Sequence, residues 1–170
     1  MGFNKEIKGD DYLNRKYDHY FLFYDNEIYN NPEFNRKIKK FSLKNSGDYL
    51  IVDLINLKNL NNYKDKTLVK IPAKSNDSLE YLDSIYIEEN KTYDDLLFEF
   101  LIFDSIHNWE IYCNIGMEFA IAGCTNDIVN RFIDFLMPYK DFSLKEKLEE
   151  LNIIFINSEN KTPLFDNVPD

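Results

Sequence analysis

The chain has 170 residues, 44% of them hydrophobic and 16% aromatic, with a formal net charge of −10. That apolar content excludes a disordered chain, and the length points to one domain over 1–170 that buries about 70% of its unfolded surface. The longest apolar run, Leu96 to Phe103, is broken by Glu99 and falls far short of the ~20 residues that cross a bilayer.

Cys113 and Cys124 are too few for a disulfide framework and lack metal-site spacing. Met1-Gly2-Phe3-Asn4-Lys5-Glu6 leads into a polar stretch with no apolar signal core, and Glu6 stands where a myristoylation motif needs Ser or Thr. A cytoplasmic protein is expected.

In chain order, residues 1–16 are polar and expected to be loosely held. The aromatic run Tyr17 to Tyr24 alternates and predicts a strand. A helix is predicted from Pro32, capped by Asn31, with Phe34, Ile38 and Phe41 on its apolar side. Arg36, Lys37, Lys39 and Lys40 are expected to flank a solvated face. Gly47-Asp48 ends that unit. Tyr49 to Ile55 reads as a buried strand and Lys66 to Pro72 as a shorter one, with Asn59, Asn61 and Asn62 in the loop between them.

Residues 78–87 suit a helix through Leu79, Leu82 and Tyr86, or a strand through Ile85-Tyr86-Ile87. Thr92 can cap a helix over 93–104, with Asp94 and Asp95 in its first turn. That helix is apolar almost all round and is expected to be central. Glu99 is then its one wet position or a buried carboxylate.

A β-hairpin follows: Trp109 to Cys113 and Glu118 to Ala122 both alternate, joined by a turn containing Gly116 and centred near Ile115. That register carries Cys124 far past the partner of Cys113, so no disulfide is expected between them. Thr125-Asn126-Asp127 opens a helix with Ile128, Phe132, Phe135 and Leu136 on one face, stopping at Pro138. Ser143 and Glu146 form a capping box for a last helix carrying Leu144, Leu148 and Leu151. The tail 160–170 is expected to be irregular. The predicted class is α+β: a single domain with a mainly antiparallel or mixed sheet, a late β-hairpin and about four covering helices.

The charge is unevenly distributed. Residues 77–118 hold eleven Asp and Glu against the single Lys91, whereas residues 1–76 carry a net +4 and 119–170 a net −4. One strongly negative segment attracts a basic partner at long range and repels nucleic acid. Tyr81, Tyr86, Tyr93 and Trp109 lie in the same segment, and aromatic anchors inside a charged rim are what a tight protein interface uses. Placed on the predicted elements, Asp104 falls in a loop, Glu110 and Glu118 project from the exposed face of the hairpin, and the partner surface centres on Glu88 to Glu99.

Catalytic motifs are missing from the sequence. It has no Gly-rich phosphate loop, no Gly-x-Ser-x-Gly elbow, no His-Glu-x-x-His and no Cys-x-x-Cys. The best enzyme constellation is Asp104, His107 and Glu110, whose spacing on a continuous helix would let them hold a divalent metal. The competing reading is a helix-to-strand loop in which His107 satisfies a nearby carbonyl. Cys113 reads as a small core residue, and His19, among aromatic residues, as structural. The basic face from Arg36 to Lys44 lacks interleaved aromatics and reads as solvated rather than as a nucleic-acid patch. No cofactor and no metal are expected.

The segments Asn108-Trp109-Glu110-Ile111-Tyr112-Cys113 and Met117-Glu118-Phe119-Ala120-Ile121-Ala122-Gly123, followed by the helix Thr125 to Pro138, carry a resemblance to the immunity proteins of bacterial toxin systems, including contact-dependent growth inhibition and related polymorphic toxins. It covers about thirty residues, and Asn114-Ile115-Gly116 replaces the Asp-Arg type of turn expected in such proteins. The resemblance implies a non-enzymatic protein that binds a cognate toxin domain, a basic protein of nuclease type, in the cytoplasm. On that reading Glu88, Glu89, Asp94, Asp95 and Glu99 accept charge-assisted hydrogen bonds from the toxin, with Tyr86 and Trp109 as anchors. A core role in the hairpin competes for Trp109. The alternatives are a small metal-dependent hydrolase using Asp104, His107 and Glu110, and an acidic DNA-mimic or adaptor.

Overall fold

The computed structural model describes residues 5–24, 32–45, 47–55, 67–74, 99–114, 119–139 and 153–156. It is a single α+β domain. Strand β1 (Lys5–Lys8) leads into a 3-10 turn at Gly9–Asp11, β2 (His19–Tyr24), helix α1 (Pro32–Lys44), β3 (Tyr49–Leu54) and β4 (Leu68–Pro72). Then come β5 (Glu99–Asp104), β6 (Trp109–Asn114), β7 (Phe119–Cys124), helix α2 (Val129–Leu136) between short 3-10 turns, and β8 (Ile153–Ile156).

Six strands form one antiparallel sheet in the order β2-β7-β6-β5-β3-β4, while β1 and β8 pair in parallel as a separate ribbon. Among the described residues, no helix is long and apolar enough to cross a membrane.

Both faces of the sheet are covered, and alternation along each strand separates two cores. On one face Phe21, Val52, Phe100, Ile102, Trp109, Ile111 and Ala122 pack beneath Phe34, Ile38 and Phe41 of α1 and Phe132 and Leu136 of α2. Phe41 and Phe132 each place a ring 6.1 Å from Trp109. On the other face Tyr20, Leu22, Leu101, Phe103, Tyr112 and Ile121 meet Ile7, Leu13 and Tyr17 from the amino-terminal segment. Each fully buried large side chain contributes roughly 1.5–3 kcal/mol of transfer free energy.

Where local periodicity dominates, the expectations hold. Helix α1 starts at Pro32 and buries Phe34, Ile38 and Phe41, and Glu33 and Lys37 pair one turn apart at 2.9 Å. Lys39, expected on the solvated side, is instead 8% exposed. The hairpin is present, but Asn114 faces Phe119, which moves its centre from Ile115 to between Gly116 and Met117. Cys113 therefore faces Ala120 and Cys124 faces Trp109, and the two cysteines are buried and form no disulfide.

The helix predicted after Thr125 begins as a 3-10 turn at Asn126–Ile128. Thr125 makes no side-chain cap; Asp18 instead accepts the Asn126 backbone N–H at 2.8 Å.

Three expectations are corrected. Residues 99–104 form a central strand, not the end of a helix over 93–104; residues 93–98 lie outside the described set. Phe100 and Ile102 face the helices and Leu101 and Phe103 face the other core, so apolar residues were required at consecutive positions. The described residues accordingly hold two α-helices rather than about four, and the helix expected after Ser143 and the tail 160–170 lie outside them.

Residues 5–16 are not loose. They form the second cover of the sheet, with Ile7 and Leu13 buried and Tyr12 ring-packed 5.0 Å from Tyr112. Finally, Glu110 does not project to solvent. It is fully buried beneath that segment, while Glu118 lies outside the described residues.

Gly123 permits this second cover. A Cβ there would stand 2.6 Å from both Leu13 Cδ1 and Tyr17 Cδ2. Gly123→Ala is expected to cost ~1–3 kcal/mol by overpacking. It should speed amide exchange in residues 9–17 while the β5 and β6 amides stay protected. Equal urea midpoints for the two proteins would contradict the close approach.

Candidate functional site

The residues singled out from the sequence divide sharply. Tyr86, Glu88, Glu89, Asp94 and Asp95 lie outside the described residues. Glu99 starts β5 half-buried, and its Oε1 accepts the Tyr112 hydroxyl at 2.7 Å. Burial and the adjacent Glu99 carboxylate raise the Tyr112 pKa above its ordinary value of 10.0, so the phenol remains a donor at neutral pH. Trp109 is 0% exposed and packs against Phe41 and Phe132. Its indole belongs to the core and offers a partner nothing.

Asp104, His107 and Glu110 do not converge. Glu110 pairs with Phe103 across β5 and β6, on the face covered by the amino-terminal segment. Asp104 is the next residue after Phe103 and closes β5 rather than lying in a loop, so it points to the helix-covered face. The two carboxylates sit on opposite sides of the sheet. Among the described residues, no group of three His, Cys, Asp or Glu could hold a metal ion.

Each member of this trio has a structural partner. Asp104 Oδ1 accepts the Asn108 backbone N–H at 3.2 Å, and the His107 N–H reaches the Asp104 carbonyl at 3.1 Å, closing the β5–β6 turn. His107 takes a left-handed φ of 55° there, and its ring stacks on Phe103 with centroids 4.6 Å apart. Burial lowers the His107 pKa, with Arg15 acting in the same sense, so the imidazole is neutral at pH 7.

Glu110 receives two hydrogen bonds from one residue: the Asn14 backbone N–H reaches Oε2 and its side-chain amide reaches Oε1, both at 2.8 Å. Burial raises the Glu110 pKa, and the Asn14 donors and Arg15 oppose that rise. This carboxylate ties the amino-terminal segment to the centre of the sheet.

The other reactive side chains are also accounted for. His19 Nε2 lies 2.6 Å from Asn126 Oδ1, joining β2 to the start of the turn before α2. Cys113 is buried in β6, and burial drives the Cys124 thiol well above its ordinary 9.0, so Cys124 is not a ready thiolate at neutral pH.

One feature escaped the sequence reading. Lys37, Lys40 and Lys44 of α1 meet Arg131 and Asp134 of α2 around a cleft of about 340 Å³. Phe41 and Phe135 line it with rings 5.1 Å apart and 29° from parallel, and Asn45 completes the wall. The spacing of the three lysines marks one helical stripe, but only packing shows that Arg131 faces it.

No protein-family model matches the sequence, and the chain has no significant similarity to a curated protein or to a solved structure.

Asp104 gives this geometry a measurable consequence. Burial raises its pKa from 3.8 to about 6 against the backbone donors of Asn108, His107 and Ile106, and Oδ2 has no hydrogen-bond partner among the described residues. The folded state therefore binds this proton more tightly than the unfolded chain. A destabilising contribution of ~3 kcal/mol is present above pH 6 and is relieved as pH falls from 6 towards 3.8. Asp104→Asn retains the Oδ1 acceptor and removes the charge. The variant's stability advantage, read from urea midpoints, should be largest near pH 8 and shrink through pH 5. An advantage independent of pH would sink this assignment.

Proposed function

We infer that the chain is a non-enzymatic immunity protein that binds and neutralises a cognate basic toxin domain through its acidic segment. The observation that carries this reading is the run from Asp77 to Asp95: seven carboxylates, Asp77, Glu80, Asp83, Glu88, Glu89, Asp94 and Asp95, against Lys91. A segment of that sign raises encounter rates with a basic protein by ~10 to 10³-fold. Toward a nuclease its carboxylates stand in for phosphates and accept charge-assisted hydrogen bonds from Lys and Arg. The site of action is the cytoplasm.

Folding has already engaged the other described acids of the region. Asp104 and Glu110 are buried with backbone or amide donors, and Glu99 holds Tyr112. The partner surface is therefore narrower than the acidic block, drawn from Glu88, Glu89, Asp94 and Asp95 with Tyr86 as anchor and Glu99 at the rim. Trp109, in the core, takes no part.

The metal-dependent hydrolase loses its footing because Asp104 and Glu110 lie on opposite sheet faces. The DNA-mimic or adaptor reading shares the electrostatics and differs in how many partners it predicts.

A neighbouring reading frame for a large secreted protein with a basic carboxyl-terminal domain supplies the partner to test. Reversing Glu88, Glu89, Asp94 and Asp95 to Lys together should reduce affinity for that domain by ~10²-fold or more, mainly through slower, less salt-dependent association. Undiminished binding would reject this surface. Equal binding of the wild type to unrelated basic proteins would favour the adaptor.

A further inference from the structure

The cleft between α1 and α2 is positive in a protein whose net charge is −10. Lys40, Lys44 and Arg131 are exposed at its rim, while Lys37 is engaged with Glu33 at 2.9 Å. Helix electrostatics account for part of this: Lys44 in the last turn of α1 complements the negative end of that helix. They do not account for Arg131, which comes from the other helix and has Nη2 3.4 Å from the Asp127 carbonyl.

Beneath the cations lies an aromatic floor, with Phe41 nearly buried and Phe135 half-exposed. The adjoining Asn45 is 6% exposed and donates its amide N–H to the Phe41 carbonyl at 2.7 Å, while its Oδ1 is without a hydrogen-bond partner among the described residues. Cations, a flat apolar surface and one carboxylate, Asp134, thus share a space of about 340 Å³.

We propose that this cleft binds a small flat anion, of the class of a nucleoside monophosphate. Its phosphate meets Lys40, Lys44 and Arg131, its ring lies against Phe135, and Asp134 accepts an N–H from the exocyclic amine of the base. Size and charge favour this occupant over a nucleic-acid strand. The volume lies in the small-ligand range of ~300–1,000 Å³. A polyanion is repelled by the protein as a whole, whereas a single phosphate needs only a local set of cations. Arg and Lys suit phosphate through directed, charge-assisted donors, and Arg also stacks on aromatic rings. The proposal is independent of the immunity reading, because it uses neither the acidic segment nor a toxin.

The test is a titration of the ¹⁵N-labelled full chain with adenosine monophosphate, inorganic phosphate, adenosine and a short single-stranded RNA. Saturable shifts are expected with adenosine monophosphate at the amides of Lys40, Lys44, Asn45, Arg131 and Phe135. Phosphate and adenosine alone should each bind at least about tenfold more weakly, since each offers half of the recognition. Lys40→Glu with Lys44→Glu, and separately Arg131→Glu, should lower affinity by a similar factor, while Lys8→Glu on β1 should leave it unchanged. All four positions are exposed, and circular dichroism verifies that each variant is folded. No saturable shift at millimolar adenosine monophosphate, or equal binding by the charge-reversed variants, would overturn the proposal. RNA binding at these residues with the mononucleotide inert would overturn it in favour of a polynucleotide groove.

Discussion

A six-stranded sheet whose central strands are apolar on both faces has to be covered twice, and this constraint organises the molecule. Strand β5 presents Phe100 and Ile102 to one side and Leu101 and Phe103 to the other, all buried. Helices α1 and α2 cover the first side. The second is covered by a short segment with far fewer apolar residues, and that segment needs directional help. Glu110 supplies it by holding Asn14 through two hydrogen bonds, and Gly123 lets Leu13 and Tyr17 approach the backbone. An unpaired buried carboxylate would be costly, so the contact constrains both partners.

The same geometry gives two of the acids a role in the fold. Asp104 and Glu110 look like reactive carboxylates in a one-dimensional reading because His107 lies between them. Strand alternation places them on opposite faces, and each serves the fold: Asp104 the β5–β6 turn, Glu110 the amino-terminal cover. Their raised pKa values record burial rather than catalytic tuning. Most of the other acids of residues 77–118 precede β5 in the sequence, in the run Asp77 to Asp95 on which the functional proposal rests.

Positive charge follows the opposite course. Dispersed along α1, it resembles an ordinary solvated helix face; Arg131 turns it into one wall of a cleft. Phe41 contributes both to the core above Trp109 and to the cleft lining, so ligand contact there would be coupled mechanically to the packing of α1 on the sheet.

Elements with a complete local pattern were legible in the sequence. Helix α1 could be read from Pro32 and the spacing of Phe34, Ile38 and Phe41, and the hairpin from the alternation of Trp109 to Cys113 and of Glu118 to Ala122, since helical and extended periods are set by neighbouring residues. The regional charge asymmetry was equally plain, because counting needs no coordinates. Only tertiary structure decided the class of residues 99–104, where burial on both faces erases the alternation that identifies a strand. It also decided that residues 5–16 are a packed layer and Glu110 a buried tie. The physical reason is separation along the chain: Asn14 and Glu110 are 96 residues apart, and neither carries a local signal of the other.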